Sequence, residues 1–141
     1  MTDDGPKLDL HAAIARFNQG DYFAAGESFE LLANSTEQDR PLLEALNRIA
    51  AGLHLRFERG GRQATINLLS QAMLALEDLR PSYAGIDIER LCQELSAFND
   101  DLRQSPRELE VGALRYRAQL FLERRRAPRI VFQRTDSNQQ G

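Results

Sequence analysis

The sequence predicts an all-α fold, a compact bundle of about six helices arranged as antiparallel helical hairpins. Three observations support this prediction. Apolar residues recur with a period near 3.6 through most of the 141-residue chain. Glycine, proline and capping residues divide that pattern at short polar intervals, and such short connections favour antiparallel neighbours. Before the C-terminal segment, no stretch alternates apolar and polar residues as a half-buried strand would.

The first two predicted helices form a hairpin around Gly20. Helix one extends from about Leu8 to Gln19 and ends at the glycine, which adopts the backbone conformation that stops a helix. Helix two begins after Asp21, whose carboxylate is a favourable N-cap, and ends near Asn34.

The next two predicted helices form a second hairpin around Gly60-Gly61. Pro41 suits the first helical position of helix three, because that position needs no backbone N–H donor. Helix four extends from about Arg62 to Leu79. The stripe of helix three is Leu42, Leu46, Ile49, Leu53 and Phe57, and that of helix four is Leu68, Leu69, Ala72, Leu76 and Leu79.

Two further helices follow a turn-rich connector at residues 80–85. Asp87 caps helix five, and Ser105-Pro106-Arg107-Glu108 forms a capping box before helix six. Pro128 ends helix six, and Ile130-Val131-Phe132 is predicted to be a short extended segment docked on the body. The stripe of helix five is Ile88, Leu91, Leu95, Phe98 and Leu102, and that of helix six is Leu109, Ala113, Tyr116 and Leu120.

The chain is therefore expected to consist of a helical core domain over residues 1–104, an additional C-terminal helix packed on it over 105–128, and a basic, then polar and partly disordered tail over 129–141. A short internal repeat agrees with this organisation. Phe17-x-x-Gly20-x-x-x-Ala24 recurs as Phe57-x-x-Gly60-x-x-x-Ala64. A glycine at the turn and a small residue at the helix contact are typical of tetratricopeptide-like hairpins.

Charge is unevenly distributed along the sequence. Residues 107–136 carry eight arginines against four acidic residues, whereas the preceding residues carry 10 basic and 17 acidic ones. The single cysteine, Cys92, is predicted to be a buried and unreactive thiol. No window is apolar enough to cross a bilayer, and the acidic start lacks the features of a secretory signal, so a cytoplasmic location is expected.

The segment over residues 17–30 resembles the start of the bacterial and plastid family called domain of unknown function 309. The typical pattern of that family is Phe-Asn, a glycine, Tyr-Phe and then His-Glu-x-x-Glu, with a tryptophan soon after. The resemblance spans about Leu8 to Leu102. Further matches are His54-Leu55-Arg56, Gly60-Gly61, Leu68-Leu69 and Gly85-Ile86-Asp87.

This resemblance implies a compact all-helical domain but no particular activity. The family's His-Glu-x-x-Glu motif implies a metal or acid–base site, and here the motif is incomplete. Gly26 occupies the histidine position and Ala33 the tryptophan position, while Glu27 and Glu30 remain. The resemblance therefore predicts a divergent member that has lost the site.

Glu27, Glu30 and His54 are the candidate ligands of a divalent metal. The two glutamates lie one turn apart on helix two, and carboxylates and imidazoles on facing helices bind metals in helical bundles. The alternative is that the glutamates are solvated, or pair with Arg48 or Arg56, and that His54 is partly buried and hydrogen-bonded. No other cofactor is implied.

The arginines near the C-terminus are the candidate partner-binding residues. Arginine interleaved with aromatic residues suits contact with a protein partner, or with phosphates and bases. The alternative is cationic decoration of a helix C-terminus. The candidates are Arg115, Arg117, Arg124, Arg125, Arg126 and Arg129.

The sequence contains no nucleophile motif, P-loop or dinucleotide fingerprint, which argues against the enzyme classes that use them. The favoured hypothesis is a non-enzymatic protein-interaction module with an unidentified protein partner. A metal-binding, hydrolytic domain is the first alternative. Binding of RNA or an anionic surface through the arginines is the second, although the acidic body argues against non-specific nucleic-acid binding.

Overall fold

The computed structural model describes residues 9–105 and 113–133, and it confirms the predicted all-α bundle. Its elements follow closely from the apolar stripes and caps of the sequence. The helices of the described ranges are α1 Leu10–Asn18, α2 Tyr22–Asn34, α3 Arg40–Arg59, α4 Gln63–Leu76, α5 Ile88–Gln104 and α6 Ala113–Arg125.

The core forms where consecutive helices pack against each other. α2 packs extensively on α3 and α3 on α4, while α1 covers α2 and α5 covers α4. The stripe predicted for helix five is buried at every position, and so is that of helix three up to Leu53. Phe57, the last member of the α3 stripe, is half-buried and contacts the ring of Phe98 on α5. The apolar period therefore located the core correctly in these helices.

Capping side chains and glycines set the ends of several helices. The carboxylate of Asp21 accepts the N–H of Ala24 at 3.4 Å, and that of Asp87 accepts the N–H of Arg90 at 3.0 Å. Gly20 and Gly60 follow α1 and α3 with φ of +90° and +75°, a conformation that side chains other than glycine rarely adopt. Both glycines of the sequence repeat thus lie at helix ends with positive φ, while the backbone hydrogen bonds of the two turns differ.

Two other glycines lie where neighbouring helices are in close contact. A Cβ at Gly26 of α2 would lie 3.4 Å from the side chain of Ala50, and one at Gly52 of α3 would lie 3.3 Å from that of Leu69. Ala64, which the repeat analysis placed at a helix contact, is exposed. Glycines, which have no Cβ, provide the close contact instead.

The connector before α5 contains a short β-hairpin that the sequence analysis did not predict. Strand β1, Ser82–Tyr83, pairs antiparallel with β2, Ile86–Asp87. Strands of two residues are too short to show an alternating pattern, so only the turn signals of this connector were visible in the sequence.

The segment after α6 docks on this hairpin. Phe132 forms a β-bridge with Ile86, and the N–H of Asp87 donates to the carbonyl of Val131 at 2.8 Å. Ile130 is fully buried, and the side chain of Asn18 bonds both its N–H, at 2.9 Å, and its carbonyl, at 2.8 Å. The predicted docking of an extended segment at residues 130–132 is therefore confirmed.

Some sequence predictions fall on residues outside the described ranges. These are the start of helix one at Leu8, the capping box after Ser105, Leu109 and the polar part of the tail. Within the described ranges, Cys92 is a buried free thiol, as predicted. None of the helices there combines the length and the apolar character that crossing a bilayer requires.

Candidate interaction surface

α6 is attached to the bundle by a buried ion pair. Arg56 of α3 is fully buried, and it donates from Nε to Oε1 of Glu123 at 2.7 Å and from Nη2 to Oε2 at 2.8 Å. Burial disfavours the charged guanidinium, but its bonds with Glu123 and Tyr116 outweigh that effect, so the pKa of Arg56 lies above its ordinary value. This two-pronged geometry fixes both the position and the rotation of α6.

Tyr116 links the same helix to the turn after α3. Its hydroxyl donates to the carbonyl of Gly60 at 2.8 Å and lies 3.1 Å from Nη1 of Arg56, which donates to it. The sequence analysis placed Tyr116 on the inner side of helix six, and the structure agrees. We name Arg56, Glu123, Tyr116 and Gly60 together the Arg56 clasp.

The pairing of Arg56 with Glu123 was not predicted, because Arg56 was considered only as a partner of Glu27 or Glu30, although a signal was present. Arg56 lies three residues after Leu53, so it continues the buried register of α3. Glu123 lies three residues after Leu120 and seven after Tyr116, on the inner side of α6. An arginine and a glutamate, each at a position where its helix would otherwise bury an apolar residue, indicate a buried ion pair between the two helices. Neither charged side chain would be buried alone.

The outer side of α6 exposes apolar side chains. Leu114, Ala118, Phe121 and Leu122 are spaced at i, i+4, i+7 and i+8, which places them along one side of the helix. The exposed fractions are 82% for Leu114, 61% for Phe121 and 50% for Leu122. We name these four residues the α6 face. α6 thus has apolar residues on two sides, and only the inner side is covered by described residues.

A shallow cavity of about 230 Å³ adjoins the α6 face. Phe121 forms part of its wall, together with Phe57 of α3 and Leu120. The cavity offers space for an apolar side chain of a partner beside the exposed Phe121.

The six candidate arginines divide into two groups. Arg124 and Arg129 are engaged within the chain, because their guanidinium groups donate to the carbonyls of Gly20 and Asn18 at 2.7 and 3.1 Å. Arg124 also lies over the rings of Tyr22 and Phe57. The other four are exposed and their side chains form no hydrogen bond or ion pair with any described residue: Arg115, Arg117, Arg125 and Arg126.

The three candidate metal ligands lie in a different place, a groove between α2 and α3. Glu27, Glu30 and His54 all line this groove, which has a volume of about 460 Å³. Both glutamates are exposed, and neither forms an ion pair with a described residue. His54 is half-buried and its ring centroid lies 5.4 Å from that of Phe23. The structure therefore agrees with the alternative that the two glutamates are solvated. Arg56 pairs with Glu123 and not with either of these glutamates.

Among the described residues, the donors of the groove are not grouped as metal ligands. Within residues 9–105 and 113–133, no three His, Cys, Asp or Glu side chains are grouped so that they could hold an ion. At the position where the resembled family has its histidine, Gly26 is buried between α2 and α3, and its carbonyl accepts from Nδ2 of Asn47 at 2.8 Å.

Comparison of the chain with protein-family models, curated proteins and solved structures gives no match. The resemblance to the domain of unknown function 309 family stays a prediction from the sequence.

Proposed function

We propose that this chain is a non-enzymatic protein-interaction module that binds its partner through the α6 face. The observation that carries the proposal is an exposed apolar stripe flanked by Arg115 and Arg117, which form no ion pair with described residues. The partner would present apolar side chains between acidic ones, in the manner of an amphipathic helix.

The energetics of the α6 face favour a partner. Burying a large apolar side chain contributes about 1.5–3 kcal/mol, so covering Leu114, Phe121 and Leu122 provides a substantial driving force. Contiguous apolar patches of this kind are uncommon on surfaces that remain in water. Phenylalanine and arginine are also enriched at protein interfaces, whereas solvated surfaces favour lysine and glutamate.

The charges around the α6 face specify the chemistry of the partner. Arg115 and Arg117 flank the stripe on opposite sides, since they lie about 100° and 300° around the helix from Leu114. Acidic residues on a partner helix would meet both arginines while its apolar residues cover the stripe. Such complementarity raises the association rate and excludes basic partners.

The Arg56 clasp supports the proposal by fixing the surface. Because Glu123 and Tyr116 hold the inner side of α6, the outer side is presented in one orientation. A preorganised surface binds more tightly, since less conformational entropy is lost on association.

The test is site-specific photo-crosslinking in the native organism. A photoreactive amino acid at Ala118, within the α6 face, is compared with one at Gln71, an exposed position on α4. We expect a covalent adduct with a protein from position 118 only. Its purified acidic segment should then bind the unmodified chain in solution, and charge reversal of that segment should abolish binding.

Matched variants separate the interface from the stability of the fold. Leu114→Ser with Phe121→Ser should remove the adduct and the binding in solution, while Leu74→Ser, at an apolar residue that is 76% exposed on α4, should leave both intact. Because these side chains are exposed, the free energy of unfolding should change by about 0.5 kcal/mol or less per substitution. Equal adducts from positions 118 and 71, or α6-dependent binding of RNA or anionic vesicles alone, would contradict the proposal.

A further inference from the structure

A third, smaller pocket lies where the end of α1 meets the segment after α6. Its volume is about 130 Å³, and its walls include Asn18, Gly20, Tyr22, Arg124, Arg125 and Arg129. No Asp or Glu of the described residues lines it. Three arginines thus surround a small space without a carboxylate, and we name this space the arginine pocket.

The two engaged arginines are held in fixed positions by backbone carbonyls. Nη2 of Arg124 donates to Gly20 at 2.7 Å and Nη1 of Arg129 donates to Asn18 at 3.1 Å, two residues apart at the end of α1. Each guanidinium has five N–H donors and uses one in these bonds, so several donors of each remain available. Carbonyls carry only partial negative charge, and the two positive charges are therefore not neutralised by these contacts.

The acidic groups near the pocket form no ion pair with the side chains of its arginines. Oε1 of Glu94 accepts the backbone N–H of Arg129 at 2.9 Å, and its Oε2 accepts from Arg90 at 3.0 Å. Asp21 caps α2 through Oδ1. Neither carboxylate forms an ion pair with Arg124, Arg125 or Arg129.

Tyr22 adds a further donor. Its hydroxyl forms no hydrogen bond with a described residue, although the residue is almost fully buried. Burial raises the pKa of this phenol, and the charges of Arg124 and Arg129 oppose the increase. Tyr22 lines the pocket together with the three arginines, and the guanidinium carbon of Arg124 lies 5.5 Å from the centre of its ring.

We propose that the arginine pocket binds a phosphate group, either as the free ion or as a phosphomonoester. Its volume of about 130 Å³ is the smallest of the three spaces described in this structure, which suits a small tetrahedral anion better than a large ligand. Guanidinium groups match phosphate oxygens with paired hydrogen bonds, and fixed donors lose little entropy on binding. This site is distinct from the α6 face and requires neither Leu114 nor Phe121.

The competing explanation is that Arg124 and Arg129 serve only to cap the C-terminus of α1, where carbonyls lack helical partners. Arginines that only cap the helix need no ligand. Phosphate would then affect the protein no more than another salt at the same ionic strength does. Phosphate dependence therefore distinguishes the two explanations.

The test measures phosphate binding to the full chain at constant ionic strength. Titration with inorganic phosphate should shift the backbone amide resonance of Gly20 and raise the thermal unfolding midpoint, because a ligand of the folded state stabilises it. Sodium chloride at the same ionic strength should do neither. O-phosphoserine in a parallel titration identifies the source: tighter binding than phosphate indicates a monoester, and weaker binding indicates the free ion.

Variants assign the binding to the pocket. Arg129→Gln should weaken phosphate binding about tenfold or more, since it removes charge-assisted hydrogen bonds. Arg129→Lys, which keeps the charge, should be affected less. Arg16→Gln, at an exposed arginine of α1 outside the pocket, should bind as the unmodified chain does. Equal effects of chloride and phosphate, tighter binding of acetate than of phosphate, or unchanged binding by Arg129→Gln would overturn the proposal.

Discussion

The charged side chain of Arg56 is fully buried, which is uncommon for an arginine. Its charged group is removed from water completely, and the cost of that desolvation is offset only because Glu123, Tyr116 and Gly60 accept its hydrogen bonds. Buried ion pairs of this kind are weak evidence for extra stability as pairs, but removing one member leaves an unpaired charge in the interior. The two members are thus far more interdependent than surface charges are.

Glu123→Gln is therefore expected to destabilise the fold strongly. The substitution keeps the shape of the side chain but leaves the guanidinium of Arg56 without its counter-charge, and we expect a loss of about 3–5 kcal/mol in the free energy of unfolding. Urea denaturation measures this loss. Glu58→Gln, at an exposed glutamate of α3, serves as the control and should change the free energy by about 0.5 kcal/mol or less.

The double substitution Arg56→Met with Glu123→Leu tests whether the unpaired charge of Arg56 causes this loss of stability. Because it removes both charges, it should recover most of the stability that Glu123→Gln loses. A double variant less stable than Glu123→Gln would show that the ion pair itself, and not the unpaired charge, determines the stability of this contact.

At the scale of elements, the turn between α3 and α4 also serves as the docking point of α6. Gly60 requires a positive φ, and the carbonyl of the same residue accepts the hydroxyl of Tyr116. A Cβ at this position would lie only 2.7 Å from that hydroxyl. The turn and the attachment of α6 thus both depend on the absence of a side chain at Gly60.

Gly60→Ala and Gly85→Ala form a matched pair that separates these two requirements. Both glycines have positive φ, but a Cβ at Gly85 would have its nearest neighbour at 3.7 Å, so alanine there adds only backbone strain of about 1 kcal/mol. Gly60→Ala should lose more than this, because Tyr116 must also move. Hydrogen exchange should become faster in α6 for Gly60→Ala and stay unchanged there for Gly85→Ala. Equal exchange in α6 for both variants would show that the contact with Tyr116 is not needed for docking.

α6 also shows where sequence reasoning stopped being sufficient. α5 has a single apolar stripe, so its period identified the buried side without ambiguity. α6 has apolar residues at Tyr116 and Leu120 and also at Leu114 and Phe121. The predicted stripe through Tyr116 and Leu120 is the inner one, but its spacing did not show that Leu114 and Phe121 form a second, exposed apolar side. Arg56, on another helix, holds the inner side of α6, and no local window of the sequence contains that information.

Across the whole molecule, the fold was predictable from the sequence and the site was predictable only in part. The helices follow from apolar spacing, caps and glycines, all of which act locally. The arginines were identified as candidates, but their division into engaged and exposed groups depends on Asn18 and Gly20, more than 100 residues away in the chain. Likewise, Glu27, Glu30 and His54 share a groove, while the spacing of residues does not determine whether side chains converge on an ion.

The stability of the whole chain should decrease in alkaline solution. Burial raises the pKa of Cys92 from 9.0 and that of Tyr22 from 10.0, so the unfolded chain releases protons that the folded chain retains. The contribution of these groups is fully present below about pH 9 and is lost as the pH rises through their folded-state values. The midpoint of urea denaturation should therefore fall between about pH 8 and about pH 10.

Cys92→Ser provides the control for this pH dependence, since serine does not ionise in that range. The variant should show a shallower alkaline decrease than the unmodified chain. A midpoint that is constant or rises over the same interval would contradict the argument from burial.

The hydrogen bonds between Asn18 and Ile130 have a consequence for the order of synthesis. Asn18 and Ile130 are 112 residues apart in the sequence. At about 5–20 residues per second, a ribosome would therefore add Ile130 roughly 6 to 22 s after Asn18. During this interval the side-chain amide of Asn18 and the carbonyls of Asn18 and Gly20 lack the partners that they have in the folded chain. The first hairpin is translated early, but its last native contacts are made by residues near the C-terminal end of the described range. A nascent chain stalled before Ile130 would therefore leave the end of α1 exposed.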